Sequence, residues 1–197
     1  MRLDLVVGPN GAGKSTFVEL VLARVRPGVA FVNADVIAAQ RWPQDRQSHA
    51  YEAARVAEAT RAALLARREP FIAETVFSHP SKLELIRQAR ADGYYTALHV
   101  VMVPEELSVA RVDARVAAGG HRVPEDKIRG RHRRLWDLVA QAIGETDTAT
   151  CYDNAHRRGP GAVALFVGGF PVGAPTWPSW VPGALTERWP AADKPGS

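Results

Sequence analysis

Short apolar runs alternate along the chain with longer stretches in which apolar residues recur every three or four positions. That alternation predicts an α/β protein, a parallel sheet flanked by helices. Strands are expected at Leu3-Asp4-Leu5-Val6-Val7, Val29-Ala30-Phe31-Val32 and Phe71-Ile72-Ala73. The run from Tyr95 to Val103 is the clearest buried strand, and later ones fall near 148–152 and 162–167. Helical spacing covers 16–24 and, rich in Ala, Arg and Leu, about 47–68, where Pro70 marks the end. Ser81-Lys82-Leu83-Glu84 has the form of a capping box opening a helix that stops near Asp92-Gly93. Pro104-Glu105-Glu106 opens another that Gly119-Gly120 closes, and a last one runs from about Pro124 to Ile143.

Between the first strand and the first helix lies Gly8-Pro9-Asn10-Gly11-Ala12-Gly13-Lys14-Ser15, a full G-x-x-x-x-G-K-[ST] match, followed by Thr16. Strand, glycine turn and helix are the context this Walker A loop requires. Glycines let backbone N–H groups turn around a phosphate, and the helix start adds unpaired donors. Lys14 then reaches the β- and γ-phosphates of ATP, and the Ser15 hydroxyl ligates Mg²⁺. The motif points to a P-loop NTPase fold and does not say what is done with the nucleotide.

In doubly wound sheets, ligands sit at the carboxyl ends of strands. Asp35 follows the second strand and lies 21 residues after Lys14, the length of a helix and a return strand. A carboxylate at that rim can take the proton of an attacking hydroxyl or hold Mg²⁺ through water. Glu74 and Thr75 end the third strand and are candidates to orient a substrate. Tyr152-Asp153-Asn154 reads equally as a plain turn or as the border of an adenine pocket.

Charge sharpens this picture. The chain of 197 residues has a net charge of +4. Residues 111–134 hold eight Lys/Arg (Arg111, Arg115, Arg122, Lys127, Arg129, Arg131, Arg133, Arg134) and three acids, so that segment is +5 and the rest is −1. Such local excess suits a polyanionic ligand better than a surface coated with nucleic acid. Arg111 and Arg115 share a helix face, Arg131 and Arg134 are one turn apart, and Gly119-Gly120 offers a hinge. An Arg-rich helical lid over about 119–136 is therefore expected, against the plainer alternative of a solvated face. Residues 1–168 read as the kinase domain. Residues 169–197, with six Pro, four Gly and three of the five Trp, read as a strap or tail. One cysteine, no run of eighteen apolar residues and only seven residues ahead of the loop suggest a cytoplasmic protein without a signal peptide or membrane span.

The order and spacing of Gly8–Ser15, Phe31-Val32-Asn33-Ala34-Asp35, Phe71-Ile72-Ala73-Glu74-Thr75, 111–116 and Gly119-Gly120-His121-Arg122-Val123-Pro124 resemble the zeta toxin family of P-loop kinases, especially its short bacterial members. Ile128 to Arg134 and Tyr152-Asp153-Asn154 continue the resemblance, which covers about residues 3–168. It implies a nucleotide-kinase-like fold and ATP-dependent phosphorylation of a hydroxyl of a UDP-activated amino sugar, UDP-N-acetylglucosamine. It also implies a possible antitoxin partner. On that analogy Asp35 is the base and Lys14 holds the phosphates. Glu74 and Thr75 contact the acceptor, and Arg115, Arg122, Arg131 and Arg134 supply the lid's contacts to phosphate and substrate. The family has a Gly between the acid and the Thr, absent here, and its lid arginine before the proline aligns with His121.

Three other readings compete. A GTPase switch needs an Asn-Lys-x-Asp motif, and the chain has none. An RNA-binding or RNA-end-processing protein would draw on the basic segment, but Trp136 is the only aromatic there for stacking. A non-catalytic ATP-binding module would leave Asp35 with a structural task only.

Overall fold

The computed structural model describes residues 1–118 and 123–192. Seven strands form one sheet: β1 (Arg2–Val7), β2 (Ala30–Val32), β3 (Phe71–Thr75), β4 (Tyr95–Met102), β5 (Thr148–Asp153), β6 (Gly161–Val167) and β7 (Phe170–Pro171). Their spatial order is β2-β3-β1-β4-β5-β6-β7. The first five are parallel, as the alternation of strands and helices predicts. β1 lies at the centre of the five parallel strands, between β3 and β4. The chain departs from β1 to one side and later returns to the other, so the end of β1 is the switch point where α/β sheets bind ligands.

The sheet is not parallel throughout. β6 runs antiparallel to β5, and β7 to β6. Seven residues, 154–160, separate β5 from β6. That suffices to turn back, whereas a parallel return needs a crossover of about a dozen residues or more.

Helices cover both faces. On one lie α1 (Lys14–Phe17), a π-helical turn (Val18–Leu22) and α2 (Ala23–Val25) in direct succession. Their Phe17, Val18 and Leu22 pack on Val6, Ile72 and Val101. On the other lie α4 (Ala50–Ala66), α5 (Ser81–Ala91) and α7 (Glu125–Glu145), whose Leu64, Ile86 and Leu135 enclose Leu3, Leu5 and Leu98. α6 (Glu105–Ala117) packs on α7 through Val109, Val112 and Ile128.

Two local expectations change. Asp35 does not lie on a strand end but in the first turn of a helix, α3 (Ala34–Arg41), capped by Asn33. The Asn33 side chain accepts from the N–H groups of Asp35 (2.7 Å) and Val36 (3.3 Å), so the strand passes directly into the helix. The Ser81–Glu84 capping box does not form, because Pro80 holds the cap position and Ser81 is already helical. His79 substitutes, its Nδ1 accepting from the Ser81 N–H at 3.2 Å.

Residues 172–192 are largely irregular, with one short helix, α8 (Gly183–Thr186). Val181, Leu185 and Trp189 are buried in the main core. Trp177 donates its indole N–H to the carbonyl of Trp189 at 2.7 Å, and Phe166 contacts both rings.

Candidate active site

The glycine turn leaves β1 under steric constraint. Gly8 has φ 149°, and a β-carbon there would stand 2.1 Å from the Val101 carbonyl oxygen of β4. Gly13 has φ 86° and leads into α1, where a β-carbon would meet the Asn154 amide at 2.7 Å. Only glycine satisfies both positions. The loop is also tied from outside. Ser108 Oγ, fully buried on α6, donates to the Asn10 carbonyl at 2.5 Å. Asn154 Nδ2 donates to the Ala12 carbonyl at 2.8 Å. Tyr152 and Asp153 belong to β5, and Asn154 braces the loop, so this segment is no plain turn.

Lys14 opens α1 with its side chain buried. Its ammonium donates to the Pro9 carbonyl at 2.9 Å and stands 4.0 Å from a Glu74 carboxylate oxygen. Burial lowers its pKa, against the opposing pull of Glu74 and Asp35. The β1–β3 register sets Val6 beside Glu74 and Val7 beside Thr75, which carries both to the loop. Glu74 is the hub of the site. It accepts from Ser15 Oγ at 2.9 Å and from Asn33 Nδ2 at 2.6 Å. Asn33 therefore links Glu74 to the helix turn bearing Asp35.

These groups share one cavity of about 570 Å³, large enough for a nucleotide-sized ligand. Its walls include Asn10, Gly11, Gly13, Lys14, Ser15 and Thr16 from the loop, with Asp35, Glu74 and Thr75 at the rim. Arg111 and Arg115 reach it from α6 and Arg131 from α7. Gly8, Pro9 and Ala12 shape the loop from behind. Arg134 is exposed and does not line the cavity, its guanidinium lying along Gly130. Arg122 and the hinge glycines Gly119-Gly120 lie outside the described residues.

The basic segment thus divides. Arg129 binds Glu105, Glu106 and Glu125 at 2.6–2.9 Å, and Arg133 binds Glu105 at 3.4 Å. Those guanidiniums are neutralised, whereas Arg111, Arg115 and Arg131 face the cavity. Trp136, the one aromatic in the basic segment that could stack on a base, is buried against His132. Sequence reasoning missed Arg111, Lys82 and Ser108 as site residues, and it flagged Asn33 and Asn154 only as parts of longer motifs, with no role assigned to either. Of the first three only Arg111 carried a signal, its i, i+4 pairing with Arg115.

Ser15 Oγ and the Glu74 carboxylate form a pair of hard oxygens at the loop, the donor type Mg²⁺ takes alongside phosphate and water. Among the described residues no group of three or more His, Cys, Asp or Glu could hold a metal on its own. No helix of the described residues is long and apolar enough to cross a membrane.

Comparison with known proteins places this arrangement. Residues 3–138 match the model of an AAA domain family. A protein of Haemophilus influenzae named only as uncharacterized is 29% identical over 126 residues, 64% of this chain and 88% of that protein. Among solved structures, the AvrRxo1-ORF1:AvrRxo1-ORF2 complex superposes with a TM-score of 0.69 at 16% identity, covering 86% of this chain. This chain spans 60% of the length of the chain it matches there. A further structure of that complex contains ATP. The PezAT chromosomal toxin–antitoxin system of Streptococcus pneumoniae gives a TM-score of 0.63 at 14% identity, over 81% of this chain and 69% of the other. These likenesses establish a P-loop kinase-like fold and meet, at the level of fold, the resemblance to zeta toxins drawn from the sequence. With 3–138 of its residues matching that model, the chain belongs to the AAA domain family of P-loop proteins.

Proposed function

We propose that the protein is a kinase that transfers the γ-phosphate of Mg·ATP to a hydroxyl of a small acceptor, a UDP-activated amino sugar such as UDP-N-acetylglucosamine. The observation that carries this reading is the single cavity that unites the P-loop with Asp35. Among the described residues the Asp35 carboxylate makes no hydrogen bond or ion pair, although it lines the cavity close enough to act on Lys14. A carboxylate kept unpaired beside a phosphate site suits a base for an acceptor hydroxyl.

In this reading the acceptor hydroxyl gives its proton to Asp35 as its oxygen forms the new bond to γ-phosphorus, and the bond to the β-phosphate oxygen breaks. Lys14 and the loop amides hold the β- and γ-phosphates, while Arg115 and Arg131, with Arg111 and Arg122, meet the charge that spreads over the transferring oxygens. Ser15 and Glu74 would hold Mg²⁺, which neutralises phosphate charge when bound. Glu74 and Thr75 border the acceptor side. Residues 119–136 serve as the lid, on a kinase domain of residues 1–168. The PezAT toxin–antitoxin system among the structural neighbours supports a role as the toxin of such a pair, acting in the cytoplasm where ATP and UDP-sugars are found.

The test is incubation with Mg·ATP and a panel of UDP-sugars, free sugars and nucleosides, read by mass spectrometry. The expected result is a gain of one phosphate on a UDP-sugar. Failure of every UDP-sugar would remove that acceptor class, and growth unaffected by overexpression would remove the toxin role.

A further inference from the structure

The acceptor end of the cavity holds positive charge that phosphoryl transfer does not require. Beyond Asp35, the wall is formed by the segment after β3 and the start of α5, including Phe77, His79 and Lys82. Phe77 has φ 63°, a conformation that costs a side-chain-bearing residue about 1–2 kcal/mol. Its buried ring holds that turn in place and leaves His79 on the cavity wall.

His79 Nδ1 is engaged by Ser81, accepting from its backbone N–H at 3.2 Å and lying 2.9 Å from its Oγ, which leaves Nε2 with no partner among the described residues. Lys82 also lines the cavity and makes no hydrogen bond or ion pair among the described residues. Behind it, Lys82 and Arg61 of α4 share a small recess with Glu74 and Thr75. Arg61 likewise has no hydrogen-bonded partner there, and exposed Glu58 is the acid acting on both cations. Burial lowers the pKa of Lys82, and Arg61 lowers it further. Two partly desolvated cations side by side, neither hydrogen-bonded to an acid among the described residues, are costly unless an anion joins them. Lys14 and the three cavity arginines stand at the P-loop and on the helices beside it, so Lys82 is the lysine left to the acceptor.

We propose that Lys82 and His79, with Arg61 in the recess behind them, form an anion-reading corner that selects acceptors carrying a phosphate or diphosphate group. This rests on the kinase reading in taking that end as the acceptor side. It explains how the site would prefer a sugar activated by a diphosphate over the free sugar.

The direct test titrates inorganic pyrophosphate by calorimetry into the full chain saturated with a non-hydrolysable ATP analogue, so that the P-loop is filled. Binding of one equivalent is expected. Lys82→Met should weaken it about tenfold or more, the loss of one charge-assisted hydrogen bond. Lys82→Arg should restore it, and Arg24→Met, exposed on α2, should leave it unchanged. In turnover, Lys82→Met should raise the acceptor KM with little change in the KM for ATP. Absence of pyrophosphate binding, or equal binding by Lys82→Met, overturns the corner. So does an uncharged sugar used with the same KM as its diphosphate-bearing counterpart, which would leave the kinase reading standing. If no acceptor is phosphorylated the kinase reading falls, and the pyrophosphate titration still decides the corner.

Discussion

Glu74→Gln isolates the role of the carboxylate at the centre of the site. It keeps the shape, and its amide oxygen can still accept from Ser15 and Asn33, but it removes the charge 4.0 Å from Lys14. Two unit charges at that separation interact by about 4 kcal/mol at an effective dielectric of 20. Both side chains are buried, so solvent screens the pair little. Lys14 has a folded pKa already lowered by burial, and loss of Glu74 lowers it further. The sign follows from linkage. Between the folded and unfolded pKa values the unfolded chain binds more protons, so stability rises with pH across that window. Below the window the full cost of burying the charge is present. Glu74→Gln should therefore be less stable than wild type by up to about 4 kcal/mol at pH 7 without nucleotide. Its stability should begin to climb at lower pH than that of wild type. Urea denaturation of both proteins between pH 6 and pH 10, read by tryptophan fluorescence, measures this. Equal stability within about 0.5 kcal/mol, together with parallel pH profiles, would refute the view that Glu74 holds Lys14 charged.

Asp35→Asn should reduce kcat by about 10²- to 10⁴-fold while the ATP dissociation constant stays within about twofold, measured by turnover and equilibrium binding. Unchanged turnover would remove Asp35 as the base. Asn154→Ala frees the Ala12 carbonyl and should weaken ATP binding by about 1–2 kcal/mol, with the acceptor KM unaffected once ATP saturates. Trp189→Ala removes a core ring and should cost about 3–5 kcal/mol in urea denaturation, without altering ATP affinity in the folded protein.

What the sequence disclosed depended on how local each feature is. The loop was legible because its chemistry is backbone chemistry within eight residues. Asp35 was legible from chain length alone, since one helix and one strand return it to the same rim. The helix it opens was not, because Asn33 ends a strand and caps a helix at once and leaves no linker to mark the change. An apolar run such as 162–167 carries no sign of strand direction, which the seven-residue connection before it decides. Ser81 and Glu84 had box spacing, but Pro80 shifted the helix start. Which arginines serve the cavity was also beyond the sequence. Glu105, distant in the chain, takes Arg129 and Arg133, and a three-residue step turns Arg134 out where Arg131 points in. Lys82 and Ser108 enter the site through the sheet order, and no spacing rule relates them to the loop.

The helix that carries Arg131 is clamped on both sides of that residue. Near the carboxyl end of α7, Arg87 binds both Glu145 carboxylate oxygens, Arg90 donates to the Glu145 carbonyl and Arg188 to that of Ala140. Near its amino end, Ile128 packs on Val109 and Val112 of α6, and Arg129 binds Glu105 and Glu106. α6 in turn bears Arg111 and Arg115. The two helices are therefore yoked, and a shift that carries the Arg131 guanidinium toward phosphate carries the other two with it.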